Sequence, residues 1–259
     1  MTLDSYGSLL DFAVEVAWRA GRATYAQYQT GVATETKPDN SPVTAADRAA
    51  ERIVRDLITA RFPDDGILGE EFGAERGGAA RRWIVDPIDG TRTFVRGVPL
   101  YGVLLALEEE GESVLGVIHF PALDETVYAA RGSGCWWNGR RARVSETSAL
   151  GDAFALTTDA ENIHAAGRGA GWDVLRTRVA GWRTWGDCYG YALVATGRAD
   201  IMLDPVMSLW DSAALAPIIQ EAGGVMTDWD GNAGYRGGSV IATNAVLADD
   251  VRRILAPDA

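Results

Sequence analysis

Two aspartates, Asp86 and Asp89, follow an apolar segment in residues 83–91 (WIVDPIDGT). The apolar residues predict a strand that ends at Asp86, and the proline after it removes a backbone donor and stiffens the exit. Gly90 allows a close turn around a ligand, and Thr91 would open the next segment, where free amide groups attract an anion. Clustered carboxylates suit Mg²⁺. The stretch predicts a site for metal and phosphate, and a simple helix-capping turn is the alternative.

Two further acidic residues stand at the ends of predicted elements. Glu70 follows a short apolar strand at residues 65–68, as Asp86 follows its own strand. Asp211 begins a predicted helix that runs to Glu221 and stops at the glycines 223–224. Taken singly, Glu70 is typical of a solvated surface and Asp211 of a helix N-cap. They become candidate metal ligands only in the company of the other two carboxylates.

Together these segments resemble the inositol monophosphatase family of lithium-sensitive, Mg²⁺-dependent phosphatases. The two family signatures appear as residues 83–91 and as residues 210–214 (WDSAA) through 221–224 (EAGG). Residues 37–39 (KPD) and 42–47 (PVTAAD) resemble the mobile catalytic loop and the start of the second helix of that family. One departure is Thr93, which stands where the family commonly has Asn.

The resemblance implies a set of metal ligands. Glu70, Asp86 and the Ile88 carbonyl would hold one Mg²⁺, and Asp86, Asp89 and Asp211 would hold a second. The site would thus hold two ions, or three when a weaker one also binds, with Mn²⁺ as a possible substitute.

The resemblance also implies the residues that handle the proton and the phosphate. Asp47 with Glu70 would position the third ion. The proton of the attacking water would pass toward Thr91, which is hydrogen-bonded to Asp47, or to Glu70. The amides of Gly90 and Thr91 would hold the phosphate.

Substrate specificity is expected on a different segment. Family resemblance places the contacts to the substrate alcohol at Gly186, Asp187, Cys188 and Asp204. Two carboxylates at these places favour an amine or an imidazolium, so a cationic alcohol such as histidinol is the better electrostatic partner. The alternative for Asp187 is that it only caps a helix over residues 189–196.

Wider resemblance over residues 66–73, 94–99 and 186–187 is to the histidinol-phosphatase branch of the family. The function expected is hydrolysis of L-histidinol phosphate in histidine biosynthesis. An inositol-1-monophosphatase or broad sugar-phosphate phosphatase is the alternative among enzymes. A catalytically idle metal-binding regulatory or interaction module is the alternative of another class.

Composition limits the other function classes. A net charge of −12 in 259 residues argues against a nucleic-acid surface, which needs clustered Lys and Arg. The two cysteines, Cys135 and Cys188, are too far apart in sequence for a redox or zinc pair. No segment has the length of a membrane span, so a cytoplasmic enzyme is expected, and the resemblance adds a homodimer.

Periodicity predicts the order of the elements. Apolar spacing predicts two opening helices, the second with its apolar face on Ala46, Ala49, Ile53, Leu57 and Ile58. An antiparallel meander follows over residues 82–129, and strands and helices then alternate to residue 255. We expect an N-terminal half at residues 1–145 with most metal ligands, and a C-terminal half at residues 146–259 with Asp211 and the specificity residues. This order implies layered α/β sheets in one compact unit, and the resemblance sharpens the fold to an αβαβα sandwich.

Overall fold

The computed structural model describes residues 5–36 and 42–255, so the predicted mobile loop at residues 37–39 lies outside the described residues. The helices are α1 (Ser5–Tyr25), α2 (Ala45–Arg61), α3 (Thr91–Val95), α4 (Ala160–Ala165), α5 (Gly169–Arg178), α6 (Asp187–Ala195), α7 (Leu209–Ser212), α8 (Leu215–Glu221) and α9 (Ala248–Leu255). The strands are β1 (Thr34–Thr36), β2 (Pro42–Thr44), β3 (Gly66–Gly69), β4 (Gly73–Glu75), β5 (Arg81–Asp89), β6 (Gly102–Glu109), β7 (Glu112–Phe120), β8 (Glu125–Ala130), β9 (Gly134–Trp137), β10 (Arg140–Arg141), β11 (Phe154–Thr157), β12 (Gly181–Arg183), β13 (Ile201–Asp204), β14 (Gly224–Thr227) and β15 (Val240–Asn244).

These elements stack in five layers. Alternate residues of an eight-stranded sheet, such as Val85 and Leu105, pack against α1 and α2. The opposite face, with Ile84 and Leu104, packs against α6 and α8, which also cover a five-stranded sheet. Helices α4, α5 and α9 cover the far face of that second sheet. The predicted αβαβα sandwich is confirmed, and the boundary between residues 145 and 146 stays a prediction.

The pairing of β3 with β5 matters most for the site. In the eight-stranded sheet the strand order is β10-β9-β8-β7-β6-β5-β3-β4, and β5 to β8 form the predicted antiparallel meander. The five-stranded sheet has the order β12-β11-β13-β15-β14. Strand β3 runs parallel to β5 with Gly69 opposite Val85. The residues that follow, Glu70 and Asp86, therefore emerge at the same edge of the sheet.

Helix α2 buries a face that is rotated from the predicted one, although Ala46 and Ile58 are buried as predicted. The buried positions are Ala46, Asp47, Ala50, Glu51, Val54 and Ile58. Two carboxylates thus lie on the side of the helix that faces the sheet, where a search for apolar periodicity does not look for them. Asp47 contacts the site described below, and Glu51 contacts the turn that follows Glu70.

His119 is a buried residue with a structural role. Its side chain lies on β7, 3% exposed, with Nδ1 at 2.8 Å from Thr126 Oγ1 on the adjacent strand. Helix α1 covers it at Gly21, where a Cβ would come within 2.5 Å of the imidazole ring. Burial lowers the pKa of His119 to about 4, and Asp124 offsets only part of that effect.

Acidification is therefore expected to destabilise the protein through His119. Between pH 6.5 and pH 4 the unfolded chain binds a proton at His119 that the folded chain does not. The contribution of His119 to the free energy of unfolding is therefore complete above pH 6.5 and is lost as the pH falls. By pH 5 the loss is roughly 2 kcal/mol at 1.36 kcal/mol per pKa unit. Urea unfolding of wild type and His119→Gln at pH 7 and pH 5 measures this loss of stability, because the variant has no imidazole to protonate.

The exposed His164 provides the matched control. Hydrogen bonds to the Ala160 carbonyl and to Asp173 raise its pKa. Protonation of His164 therefore stabilises the folded protein as the pH falls, whereas His119 destabilises it. A difference between wild type and His119→Gln that does not change with pH would contradict the prediction.

Candidate functional site

Asp86 and Asp89 face one cleft because β5 is irregular between them. In a regular strand, residues three positions apart point to opposite faces of the sheet. The pairing of β5 with β6 shifts register between the two aspartates, at Pro87, which cannot donate to the ladder. The Ile88 amide donates instead to Asp86 Oδ1 at 3.0 Å. The bulge thus turns both carboxylates toward the same space.

Glu70 reaches this cleft from the end of β3. Its amide donates to the Val85 carbonyl at 3.2 Å and so extends the parallel pairing by one residue. Burial, and then the negative charge of Glu70, raises the pKa of Asp86 well above its usual value. A cation between these two carboxylates would remove their repulsion.

Asp211 enters from α7 in the other half of the chain. Ser208 is the N-cap of this helix, and its amide donates to Asp211 Oδ2 at 2.7 Å, so Asp211 completes a capping box from inside the first turn. The alternative that Asp211 is itself the N-cap was wrong. Asp86, Asp89 and Asp211 each offer one oxygen, and the three oxygens lie within 4.8 Å of one another.

A break in the helix after Asp211 fixes its place. One helix was predicted here, but two are present, because Pro217 has no N–H to donate to the Ala213 carbonyl. That carbonyl accepts a hydrogen bond from Ser113 Oγ at 2.7 Å. The next carbonyl packs so close to β7 that a Cβ at Gly116 would approach it to 2.0 Å. The break therefore anchors α7 against the eight-stranded sheet.

The donor set fits a hard divalent cation. Burial, then Asp187 and Asp211, raises the pKa of Asp89 well above its usual value. Carboxylates buried together lose their charge unless a cation compensates it. Carboxylate and carbonyl oxygens are the ligands that Mg²⁺ and Mn²⁺ prefer, and Glu70 and the Ile88 carbonyl could complete such a site.

Thr91 and Asp47 lie beside this cluster. Thr91 Oγ1 is 3.0 Å from the Ile88 carbonyl oxygen and 3.4 Å from Asp47 Oδ1, so its single proton has two possible acceptors. Asp47 Oδ2 accepts hydrogen bonds from the amide and the hydroxyl of Thr44, at 2.8 and 2.7 Å. Burial raises the pKa of Asp47 to about 6, although these hydrogen bonds oppose the rise. Asp47 is thus a stronger base than an ordinary aspartate.

Gly90 makes the turn between the metal cluster and α3. Its φ of +84° lies in the left-handed region, which favours glycine. A Cβ at this position would stand 2.8 Å from Asp187 Oδ2. The turn therefore brings the Gly90 and Thr91 amides, predicted to bind phosphate, close to the predicted specificity residue.

Helix α6 forms the opposite wall of the cleft. Gly186 is its N-cap and Asp187 its first residue, so the N-cap alternative for Asp187 was wrong. Asp187 has a φ of +50°, a conformation that costs a non-glycine residue about 1 kcal/mol. The Cys188 amide, which follows it, donates to Asp89 Oδ2 at 2.5 Å, while Asp187 Oδ2 accepts from Thr93 Oγ1 at 3.1 Å. The departure at Thr93 thus supplies a partner for Asp187.

Asp204 lies deeper in the same wall and is almost fully enclosed. Its Oδ1 accepts the Thr158 amide at 3.1 Å, and its Oδ2 accepts the Thr158 and Tyr191 hydroxyls at 3.0 and 2.9 Å. Burial raises its pKa to about 7 despite these bonds. Thr158 Oγ1 also accepts the Asp187 amide at 2.9 Å and so links the two carboxylates.

Sequence reasoning missed Thr158 and Tyr191. Thr158 directly follows β11, and a polar residue at a strand end was the signal that could have found it.

A cavity of about 120 Å³ lies between the carboxylate cluster and α6. It is lined by Asp89, Thr158, Asn162, Asp187, Cys188, Tyr191, Asp204, Pro205, Val206, Met207 and Asp211.

Comparison with known proteins agrees with this geometry. The model of the inositol monophosphatase family matches residues 6–256. The chain belongs to the inositol monophosphatase family. It is 46% identical over 240 residues to a histidinol-phosphatase of Chlorobaculum parvum, covering 92% of this chain and 93% of that protein. It is 41% identical over 252 residues to a histidinol-phosphatase of Mycobacterium tuberculosis, covering 93% and 95%.

The fold of this family member also matches a solved structure. The inositol monophosphatase of Thermotoga maritima superimposes with a TM-score of 0.88 at 34% identity, over 96% of this chain and 97% of that one. The chain is a phosphoric monoester hydrolase of a metal-dependent family. Among the helices within residues 5–36 and 42–255, none is long and apolar enough to span a membrane.

Proposed function

We propose that this chain hydrolyses L-histidinol phosphate to L-histidinol and phosphate with Mg²⁺. The observation that carries the proposal is the position of Asp187, whose carboxylate lies against the Gly90 turn. If the phosphate of an ester is bound at that turn, its alcohol portion would lie next to this carboxylate. The names of the Chlorobaculum and Mycobacterium relatives support the same substrate.

Charge favours a cationic alcohol over a neutral one. Burial raises the pKa of Asp187, and Thr93 and Arg92 counteract only part of the rise. A substrate ammonium group would restore the ionised carboxylate by direct attraction, whereas a neutral polyol would have to hydrogen-bond to it without that gain.

The chain provides a route for the proton of the attacking water. Divalent cations, when bound, would neutralise the phosphate oxygens and lower the pKa of a water. Thr91 Oγ1 can accept a proton as it gives its own to Asp47 Oδ1, 3.4 Å away. The raised pKa of Asp47 makes it a better acceptor, and Glu70 is the second candidate base.

Inositol-1-monophosphatase or broad sugar-phosphate phosphatase activity is the second candidate. The similarity to the Thermotoga maritima inositol monophosphatase favours it. The homodimer, the cytoplasmic location and lithium sensitivity stay predictions from the family resemblance.

A substrate panel tests the proposal. Phosphate release from L-histidinol phosphate, inositol 1-phosphate and glycerol 2-phosphate would be measured at matched Mg²⁺ concentration. We expect kcat/KM for histidinol phosphate to exceed that for either neutral ester at least about tenfold, which is 1.4 kcal/mol of transition-state stabilisation. Faster turnover of inositol 1-phosphate would support the second candidate instead.

A further inference from the structure

Glu51 is a fully buried carboxylate that holds the turn carrying Glu70. It lies on α2 with 0% exposure. Its Oε2 accepts the amide of Glu71 at 2.7 Å, and its Oε1 accepts the amide of Phe72 at 3.3 Å. These two donors are the residues that immediately follow Glu70, so the carboxylate fixes the backbone on that side.

Glu51 also determines the backbone on the other side of Glu70. Gly69 ends β3, and a Cβ there would stand 1.9 Å from Glu51 Oε1 and 2.3 Å from its Cδ. The carboxylate therefore fills the space in which any other residue at position 69 would place its side chain. Glu70 is thus held between two contacts with the same side chain.

Arg55 neutralises the buried charge. Its Nε donates to Glu51 Oε1 at 2.8 Å, one helical turn along α2. A second guanidinium nitrogen donates to the Gly73 carbonyl at 2.5 Å, and a third lies 3.4 Å from Glu75. A buried charge is tolerated only with a partner and further hydrogen bonds. These contacts satisfy the Glu51 carboxylate and hold the turn in place.

We propose that Glu51 is a positioning residue that sets the affinity of the site for its divalent cation by holding Glu70 next to Asp86. The proposal rests on the metal-dependent function proposed above. Glu51 contacts the backbone on both sides of Glu70 and acts on the metal only through it. Residues behind metal ligands commonly change metal affinity 10- to 100-fold when replaced.

Glu51→Gln is the test, since an amide end group keeps the volume but turns one donor toward the backbone amides. Mn²⁺ binding to the substrate-free protein would be followed by electron paramagnetic resonance. We expect the dissociation constant to rise at least about tenfold. We also expect the Mg²⁺ concentration for half-maximal activity to rise, with KM for the ester at saturating Mg²⁺ nearly unchanged.

Glu221→Gln is the matched control. Glu221 also accepts two backbone amides, those of Gly132 and Gly134, at 2.7 and 2.6 Å, but it clamps a turn between β8 and β9. We expect this variant to lower thermal stability and to leave Mn²⁺ binding unchanged. A folded Glu51→Gln protein with wild-type Mn²⁺ affinity, or an equal loss in both variants, would overturn the proposal.

If Glu51→Gln does not fold, Glu51→Asp gives the same readout, because its shorter side chain cannot reach both amides.

Two outcomes separate this proposal from the proposed function. A wild type that binds Mn²⁺ but hydrolyses none of the esters would overturn the function while the binding comparison still decides the role of Glu51. A wild type that binds no Mn²⁺ would overturn both.

Discussion

Asp89→Asn is expected to lower kcat/KM for phosphate ester hydrolysis about a thousandfold, or about 4 kcal/mol, by removing a carboxylate from the proposed metal site. The side chain keeps its shape, and its oxygen can still accept the Cys188 amide. The loss would thus come from the missing charge. Phosphate release over a range of Mg²⁺ concentrations measures it.

The same substitution is expected to stabilise the metal-free protein. Asp89 is repelled by Asp187 and Asp211, which are half-buried as it is, and the amide removes that repulsion. Thermal unfolding in the presence of a chelator should show a higher Tm for Asp89→Asn than for wild type. Asp230→Asn, which changes an exposed carboxylate paired with Arg168, is the control and should alter neither property. Full activity in Asp89→Asn would contradict the proposed metal site.

Asp187→Asn is expected to alter substrate preference rather than the reaction. The amide retains an oxygen for Thr93 but cannot attract an ammonium group. We expect kcat/KM for histidinol phosphate to fall 10- to 100-fold, or about 1.4 to 2.7 kcal/mol, mostly through KM.

Inositol 1-phosphate serves as the control substrate for that variant. Its kcat/KM should change less than about threefold or should rise, because a neutral alcohol gains nothing from the lost charge. An equal loss with both esters would show that Asp187 supports the whole site and does not select the alcohol.

Local sequence predicted the parts of the site that lie at the end of a strand or in the first turn of a helix. Asp86, Asp89 and Asp211 were named as candidate ligands, and the structure brings all three together. An apolar strand followed by Pro and Gly leaves few conformations, so the turn at Gly90 could be deduced from residue type alone.

Long-range contacts decided what local sequence could not predict. The rotation of α2 depends on the buried Glu51, which is satisfied by amides 20 and 21 positions away. The helix break after Asp211 could have been predicted from Pro217, which lies inside the predicted helix, but its anchoring by Ser113, 100 positions from the carbonyl that it binds, could not. Asp204 was predicted to contact the substrate alcohol, but its partners Thr158 and Tyr191 come from separate elements and became visible only in the folded chain.

The hydrogen bond from Cys188 to Asp89 joins residues 99 positions apart, and it has a consequence for folding kinetics. The carboxylates come from both halves of the chain. They meet only after the long segment between them has lost the entropy of forming a closed loop. Metal binding would then stabilise the native state more than the folding transition state. Mg²⁺ should therefore slow unfolding and leave the folding rate almost unchanged.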